Sequence, residues 1–145
     1  MDSAWAGLVI LSALHGLWPL PIEMTLALAS SLTSLIAGCA LILVGMIEFR
    51  SLRKVSGMEV SKLITTSIYR RIRNPQFLGF YLALLGISLL GRSGYGLLLT
   101  VMAIIYCHYY IVKAEEPYLE RIFGEGYLMY RLKTPRYIRI LRSKT

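Results

Sequence analysis

Four long runs of apolar residues determine what this chain of 145 residues can fold into. A helix that crosses the hydrocarbon core of a bilayer needs about 17 to 25 mostly apolar residues, and the runs reach or approach that length. They extend over about Ala4 to Leu20, Met24 to Ile47, Phe77 to Leu90 and Tyr95 to Val112. The pattern predicts an all-α fold: a polytopic membrane helix bundle of about four transmembrane helices, forming a single domain over residues 1–145.

The composition agrees with a membrane environment. Hydrophobic residues make up 56% of the chain and charged residues only 17%, whereas a soluble domain carries about 25% charged residues. The net charge of +8 would suggest nucleic acid as the partner of a soluble protein. Here, however, the Lys and Arg residues flank apolar runs, a pattern typical of charges that orient a membrane protein. Anionic lipid headgroups are therefore the expected partner, and nucleic acid is not.

The basic residues are distributed unevenly between the two ends of the expected helices. Of the 16 Lys and Arg residues, seven lie between Arg50 and Arg73, eight lie from Lys113 to Lys144, and Arg92 alone lies elsewhere. Cytoplasmic loops of membrane proteins carry an excess of Lys and Arg. Both basic segments are therefore predicted to be cytoplasmic and the turns at Pro19 and Arg92 to lie outside. Four crossings then place both termini in the cytoplasm.

The two cysteines and the amino-terminal run have simple interpretations. Cys39 and Cys107 both lie inside apolar runs, which favours small core residues over a disulfide or a metal pair, and no metal site is expected. Ala27-Leu28-Ala29 resembles the cleavage site of a signal peptide. The preceding residues lack the basic start of such a peptide, so the first run is taken as a span.

Three segments between or after the runs are less regular. The third run is short, and it is either completed by the Asn74-Pro75 corner or forms a tilted or partly re-entrant element. Glu48 to Thr66 mixes apolar and charged residues, which predicts a helix end followed by an extended piece in the interface. Glu115 to Tyr130 has apolar residues at helical spacing and predicts an interfacial C-terminal helix, broken by Gly124 and Gly126.

A basic corner leads directly into the third run. Pro75 suits the first position of a helix, where its missing N–H is no loss, and Asn74 before it suits the cap. The free backbone N–H groups of such a helix start, together with Arg73, can hold an anionic group. Taken alone, the corner is better explained as a basic turn that flanks the membrane, with a good helix cap.

Two further features lie after the fourth run. Glu115-Glu116 places a negative pair at a helix end, where it opposes the helix dipole, so a nearby cation from protein or ligand is expected. The alternative without a functional role is a solvated helix end. The tail then carries Phe123-Gly124, Tyr127, Tyr130 and Pro135-Arg136, which alone would indicate an amphipathic anchor.

In their order along the chain these features resemble the isoprenylcysteine carboxyl methyltransferase family and its phospholipid-methyltransferase-like relatives. The resemblance extends over about Lys62 to Tyr137 and lies in the ordered set, since any one motif is weak. The set is Leu63-Ile64-Thr65-Thr66-Ser67-Ile68-Tyr69, Arg73-Asn74-Pro75-x-Phe77-x-Gly79, Glu115-Glu116, Phe123-Gly124-x-x-Tyr127-x-x-Tyr130 and Pro135-Arg136.

The resemblance implies a methyltransferase that uses S-adenosylmethionine as its cofactor and is built on membrane helices. In that interpretation residues 1–49 form two amino-terminal spans and residues 50–145 form the methyltransferase-like core, with a cytoplasmic cofactor pocket. The acceptor is expected to be lipid-like or prenylated, a carboxylate being one candidate. The oligomeric state is left open.

The resemblance also implies which positions bind the cofactor. They are Leu63, Ile64, Tyr69, Asn74, Pro75, Gln76, Phe77 and Glu115. Glu115 is expected to hold a polar or cationic part of the cofactor, and the cap at Asn74 to hold its carboxylate. The rings of Tyr69 and Phe77 are expected to pack against it, with cation–π attraction to the sulfonium.

The chain departs from the family pattern at four positions. Ser67 replaces a common glycine, Asn74 the usual histidine and Phe77 a common tyrosine. Ile111 stands where the prenylcysteine enzymes carry an arginine that faces the substrate carboxylate. The resemblance therefore leaves the acceptor open.

No catalytic residue is assigned, and Arg73, Lys113 and His108 are the candidates. The alternative to an enzyme is a non-catalytic membrane scaffold or lipid-binding subunit that uses the basic cytoplasmic face. It explains the charges and the spans equally well, but it does not explain the order of the motifs. A transporter is the third choice, because the chain offers few polar groups inside the membrane.

Overall fold

The computed structural model describes residues 2–16, 18–55 and 67–137, and this part of the chain contains helices and turns but no β-strand. The helices are α1 (Asp2–Leu14), α2 (Met24–Val55), α3 (Pro75–Leu90), α4 (Gly94–Tyr110), α5 (Glu116–Phe123) and α6 (Glu125–Lys133). A 3₁₀ turn (Ser67–Arg70) precedes α3, and a π-helical turn (Ile111–Glu115) joins α4 to α5. The predicted all-α membrane helix bundle is confirmed.

Two stretches of helix are long and apolar enough to cross a membrane: Met24–Glu48 and Gly94–Phe123. Large apolar side chains on both face away from the bundle; Ile36 is 68% exposed and Ile105 is 64% exposed. Helices α1 and α3 are shorter, and the 16 residues of α3 rise only about 24 Å. The count of four crossings therefore stays a prediction.

Helices α2 and α3 pack with almost no space between their backbones. A Cβ added at Gly38 would lie 2.7 Å from the carbonyl oxygen of Gly79, and one added at Gly79 would lie 2.7 Å from that of Gly38. Two further close contacts between these helices lie on either side of the Gly38–Gly79 contact. One joins Ser31 of α2 to Gly86 of α3, and the other joins Gly45 of α2 to Gln76 of α3. Small residues allow this close approach in membrane helix pairs. The antiparallel register brings the carboxyl end of α2 to the start of α3.

The core lies where α1, α3 and α4 meet. Val9, Leu84 and Ala103 are at most 1% exposed and form its centre. Buried hydroxyl groups are paired there, since Ser88 Oγ lies 3.1 Å from Thr100 Oγ1. Pairing of this kind removes the cost of placing polar groups in an apolar interior.

The turns at Pro19 and Arg92 meet at one end of the bundle. The backbone N–H of Leu20 donates to the carbonyl oxygen of Arg92 at 2.7 Å, and that of Gly94 donates to Trp18 at 2.8 Å. The basic corner before α3 lies at the opposite end of that helix. The structure thus has the two ends that the charge distribution requires, and the orientation of each in a membrane stays a prediction.

Several local expectations were wrong. Cys39 is exposed on α2, and only Cys107 is a buried core residue. The segment after the fourth run is not one helix broken at two glycines: the break is at Gly124, whose φ is 51°, while Gly126 lies inside α6. By contrast, a helix end does follow Glu48 as expected, because α2 extends to Val55. The extended piece expected up to Thr66 falls mostly outside the described residues.

Candidate functional site

The corner before α3 is paired with the carboxyl-terminal tail through its backbone. The N–H of Arg73 donates to the carbonyl oxygen of Pro135 at 2.9 Å, and the N–H of Asn74 donates to that of Arg136 at 3.1 Å. These two bonds resemble a short stretch of β-ladder, although the residues form no strand. They fix the tail, residues 134–137, beside the start of α3.

The acidic pair after α4 lies against the same corner. Glu116 Oε1 lies 3.2 Å from Arg73 Nη1, and the two side chains are only 8% and 7% exposed. The same oxygen accepts a hydrogen bond from Arg136 Nε at 2.7 Å. Arg73 Nη1 also donates to the hydroxyl of Tyr127 at 3.2 Å. One carboxylate thus joins three segments: the corner, the start of α5 and the tail.

Helix α6 supports the 3₁₀ turn that enters the corner. The hydroxyl of Tyr130 donates to the carbonyl oxygen of Tyr69 at 2.6 Å, and Thr134 Oγ1 donates to that of Arg70 at 3.3 Å. Burial raises the pKa of Tyr130 above its ordinary value, so the hydroxyl stays a donor over the physiological range. These bonds explain why the Tyr130 and Pro135 motifs accompany the corner in the sequence.

Tyr69 lies between the corner and α2. Its hydroxyl donates to the carbonyl oxygen of Gly45 at 3.2 Å. Burial, and then the negative charges of Glu48 and Glu115, raise its pKa to about 12. Glu48 of α2 and Glu115 of the π-helical turn are thus both within electrostatic reach of this phenol.

Four buried polar atoms around the corner have no hydrogen-bond partner in the described part of the chain. Two are donors, Arg73 Nε and Asn74 Nδ2, and two are acceptors, Glu48 Oε2 and Glu115 Oε2. A buried polar group without a partner costs about 1 to 3 kcal/mol, and more when it is charged. A set that contains both donors and acceptors suits a ligand that carries both an anionic and a cationic group, as an α-amino acid does.

Asn74 does not act as the expected helix cap. It occupies the N-cap position of α3, but its φ of −123° and ψ of 64° are not those of a capping residue, and its side chain makes no capping bond. The reason is that its backbone is held by the pairing of its N–H with Arg136. The amide is thereby left with a buried, unpaired NH₂ group.

The other predicted cofactor positions are distributed around this corner. Pro75 is fully buried at the first turn of α3, and Gln76 packs against Gly45 of α2. The ring of Phe77 packs against that of Tyr81, with 6.5 Å between their centroids. Leu63 and Ile64 lie outside the described residues.

The three catalytic candidates differ in their surroundings. Arg73 is held by Glu116 and Tyr127, whereas Lys113 is exposed on the π-helical turn. His108 Nδ1 lies 3.4 Å from the hydroxyl of Tyr137, which in turn lies 3.3 Å from that of Tyr81.

Ile111, at the position of the family's substrate arginine, is completely buried. The tail instead supplies a cation to the acidic pair: Arg136, whose side chain is 26% exposed, binds Glu116.

Glu48 is the site residue that sequence reasoning missed. A carboxylate at the end of an apolar run is costly unless it faces a polar partner, and this was the available signal. The sequence alone gave no way to know that the residue faces the corner.

Two comparisons with known proteins find relatives of this sequence. The sequence model of the phospholipid methyltransferase family matches residues 26–126, from the start of α2 to the start of α6. A protein-S-isoprenylcysteine O-methyltransferase from Schizosaccharomyces pombe is 33% identical over 73 residues. The aligned part is 50% of this chain but only 31% of that relative, so the chain covers less than a third of it. No solved structure matches the chain.

The family match extends over well more than half of the chain and includes the corner, the π-helical turn and the acidic pair. The resemblance seen in the ordered motifs is thereby confirmed. The chain belongs to the phospholipid methyltransferase family.

Proposed function

We propose that this protein is an integral membrane methyltransferase that uses S-adenosylmethionine and methylates a lipid-like or prenylated acceptor. The observation that carries the proposal is the set of buried, unpaired polar atoms at Arg73, Asn74, Glu48 and Glu115. A non-catalytic scaffold has no use for such a set, because unpaired buried groups only destabilise a protein that binds nothing there. A ligand with a carboxylate and an ammonium group satisfies both halves of it.

In this proposal the corner holds the amino acid part of the cofactor. Asn74 Nδ2 and Arg73 Nε would donate to its carboxylate, and the first N–H groups of α3, which have no partner within the helix, add to the same anion site. Glu115 Oε2 would accept from a cationic group. The ring of Tyr69 forms the wall toward α2.

S-adenosylmethionine supplies an electrophilic methyl group on a sulfonium. The residues of the site would align that group with the acceptor and exclude water, which is the main requirement for an in-line displacement. A carboxylate acceptor needs no base. An amine or thiol acceptor would have to lose a proton, and His108, hydrogen-bonded to Tyr137, is the candidate for accepting it.

The proposed arrangement in the membrane has the site and both termini on the cytoplasmic side. The basic segments on either side of the corner support it. The name of the yeast relative, which specifies an isoprenylcysteine substrate for that protein, supports a prenylated or lipid acceptor. The buried Ile111 argues that any acid group of the acceptor is met by another cation, and Arg136 and Lys113 are the available choices.

Thermal unfolding of the detergent-purified protein tests the cofactor. S-adenosylmethionine and S-adenosylhomocysteine are each expected to raise the unfolding temperature as their concentration increases, because a ligand that binds only the folded state stabilises it. Absence of any shift at saturating ligand would favour the scaffold. Incubation of the protein with methyl-labelled donor and membrane lipid extracts would then identify the acceptor.

A further inference from the structure

Glu48 of α2 lies beside the corner although it belongs to none of the motifs that mark the family resemblance. Its Oε1 accepts a hydrogen bond from the backbone N–H of Ile68 at 3.4 Å. One turn earlier on the same helix, a Cβ added at Gly45 would lie 2.9 Å from Gln76 Cγ and 3.5 Å from the hydroxyl of Tyr69. The end of α2 is therefore a wall of the candidate site.

The second carboxylate oxygen of Glu48 is buried and unpaired. Oε2 has no hydrogen-bond partner within the described part of the chain. Among the residues whose side chains are described, 3–16, 18–48 and 68–137, no salt bridge includes Glu48. The guanidinium groups of Arg73 and Arg136 at the corner are both bound to Glu116. A carboxylate in such surroundings is stabilised only when a cation reaches it.

Glu115 offers the same kind of atom from another direction. Its Oε2 is also buried and unpaired, and it comes from the π-helical turn after α4 rather than from α2. Both carboxylates act on the phenol of Tyr69, whose pKa they raise in addition to the effect of burial. Two carboxylate oxygens without a partner in the described residues are thus carried by two separate helical segments, and both carboxylates are within electrostatic reach of Tyr69.

We propose that Glu48, together with Glu115, binds the positively charged part of the methyl donor. The inference rests on the proposed function and extends the donor site to α2. Two groups of the donor have the required charge, its ammonium group and its sulfonium, and the ring of Tyr69 can add cation–π attraction to either. S-adenosylhomocysteine keeps the ammonium group but has no sulfonium. Comparison of the two ligands therefore distinguishes binding of the ammonium group from binding of the sulfonium.

The test compares Glu48→Gln with the wild-type protein by thermal unfolding and calorimetry in detergent. Glutamine keeps the acceptor for Ile68 N–H and removes the unpaired charge. The ligand-free variant is therefore expected to unfold at the same temperature as the wild type or at a higher one, whereas its affinity for S-adenosylmethionine falls by at least about tenfold. A residue with a merely structural role would lower the unfolding temperature of the free protein. Glu125→Gln, at an exposed position on α6, is the matched control and should change neither quantity.

The two ligands decide which charge Glu48 meets. If Glu48→Gln weakens both ligands, the partner is the ammonium group; if it weakens only S-adenosylmethionine, the partner is the sulfonium. Unchanged affinity for both, with normal binding by the wild type, overturns the role of Glu48 and leaves the proposed function intact. Absence of binding by the wild type overturns both. If Glu48→Gln does not fold, Glu48→Asp, which keeps the charge but shortens its reach, is compared with the same two ligands and the same outcomes apply.

Discussion

Arg73 and Glu116 form an ion pair that is almost completely buried, with 3.2 Å between Nη1 and Oε1. Glu116 binds Arg136 through the same oxygen, while its neighbour Glu115 keeps a buried oxygen free. The two adjacent glutamates therefore have different surroundings. Glu116 holds the corner, α5 and the tail together, and Glu115 is available to a ligand.

Replacement of Glu116 by Gln should destabilise the protein. The change leaves two guanidinium groups without their counter-charge, and one of them, on Arg73, is 7% exposed. Breaking a buried ion pair by removing one partner costs about 3 to 5 kcal/mol, and chemical unfolding in detergent measures this loss. Glu120→Gln is the control, because its pair with Arg131 is about 40% exposed and such pairs contribute at most about 1 kcal/mol. Equal effects of the two substitutions would contradict the structural role of Glu116.

Replacement of Glu115 by Gln should weaken ligand binding without lowering the stability of the free protein. The free protein loses no hydrogen bond from Oε2, because that atom has no partner, so its stability should not fall. Binding of S-adenosylmethionine, measured by calorimetry, should weaken by at least about tenfold, since a charge-assisted contact with the ligand is lost. Unaltered affinity would remove Glu115 from the site. Glu125→Gln serves as the control for a glutamate outside it.

The order of the motifs was enough to predict that the corner and the acidic pair converge, because a family resemblance carries the fold with it. The division of roles between Glu115 and Glu116 was not predictable. It depends on the π-helical turn Ile111–Glu115, in which the widened turn changes the direction of the side chains that follow. Such turns are frequent at functional sites, but no residue in this stretch marks one.

Other features depend on contacts between segments far apart in the sequence. The capping role expected for Asn74 failed because its backbone N–H binds Arg136, a residue 62 positions later in the printed sequence. Glu48 reaches the site because of the register between α2 and α3. That register follows from the fit of Gly38 against Gly79, which a single sequence does not reveal.

The contact between α2 and α3 should therefore be essential for binding as well as stability. In Gly79→Ala the new Cβ would lie 2.7 Å from the carbonyl oxygen of Gly38 and 3.0 Å from the backbone nitrogen of Ile42. Since backbone atoms cannot rotate away, the helices must separate, and overpacking of this kind costs about 1 to 3 kcal/mol. Thermal unfolding and ligand titration should both show a loss. Gly7→Ala, where nothing lies within 4 Å of the new Cβ, should leave both unchanged, and an equal loss there would contradict the argument.

Tyr69 should contribute a pH-dependent part of the stability at alkaline pH. Its pKa in the folded protein, about 12, is higher than the value of about 10 in an unfolded chain. A raised pKa means that the folded state favours the protonated phenol. The contribution is complete below about pH 10 and is lost as the pH rises toward 12.

Tyr69→Phe should therefore unfold more easily than the wild type at pH 8, because it loses the hydrogen bond to Gly45. The gap in stability between the variant and the wild type should narrow between pH 10 and 12. Tyr118→Phe, at a position that is 58% exposed, is the control and should follow the wild type throughout. A gap that stays constant up to pH 12 would show that the folded protein does not raise the pKa of Tyr69.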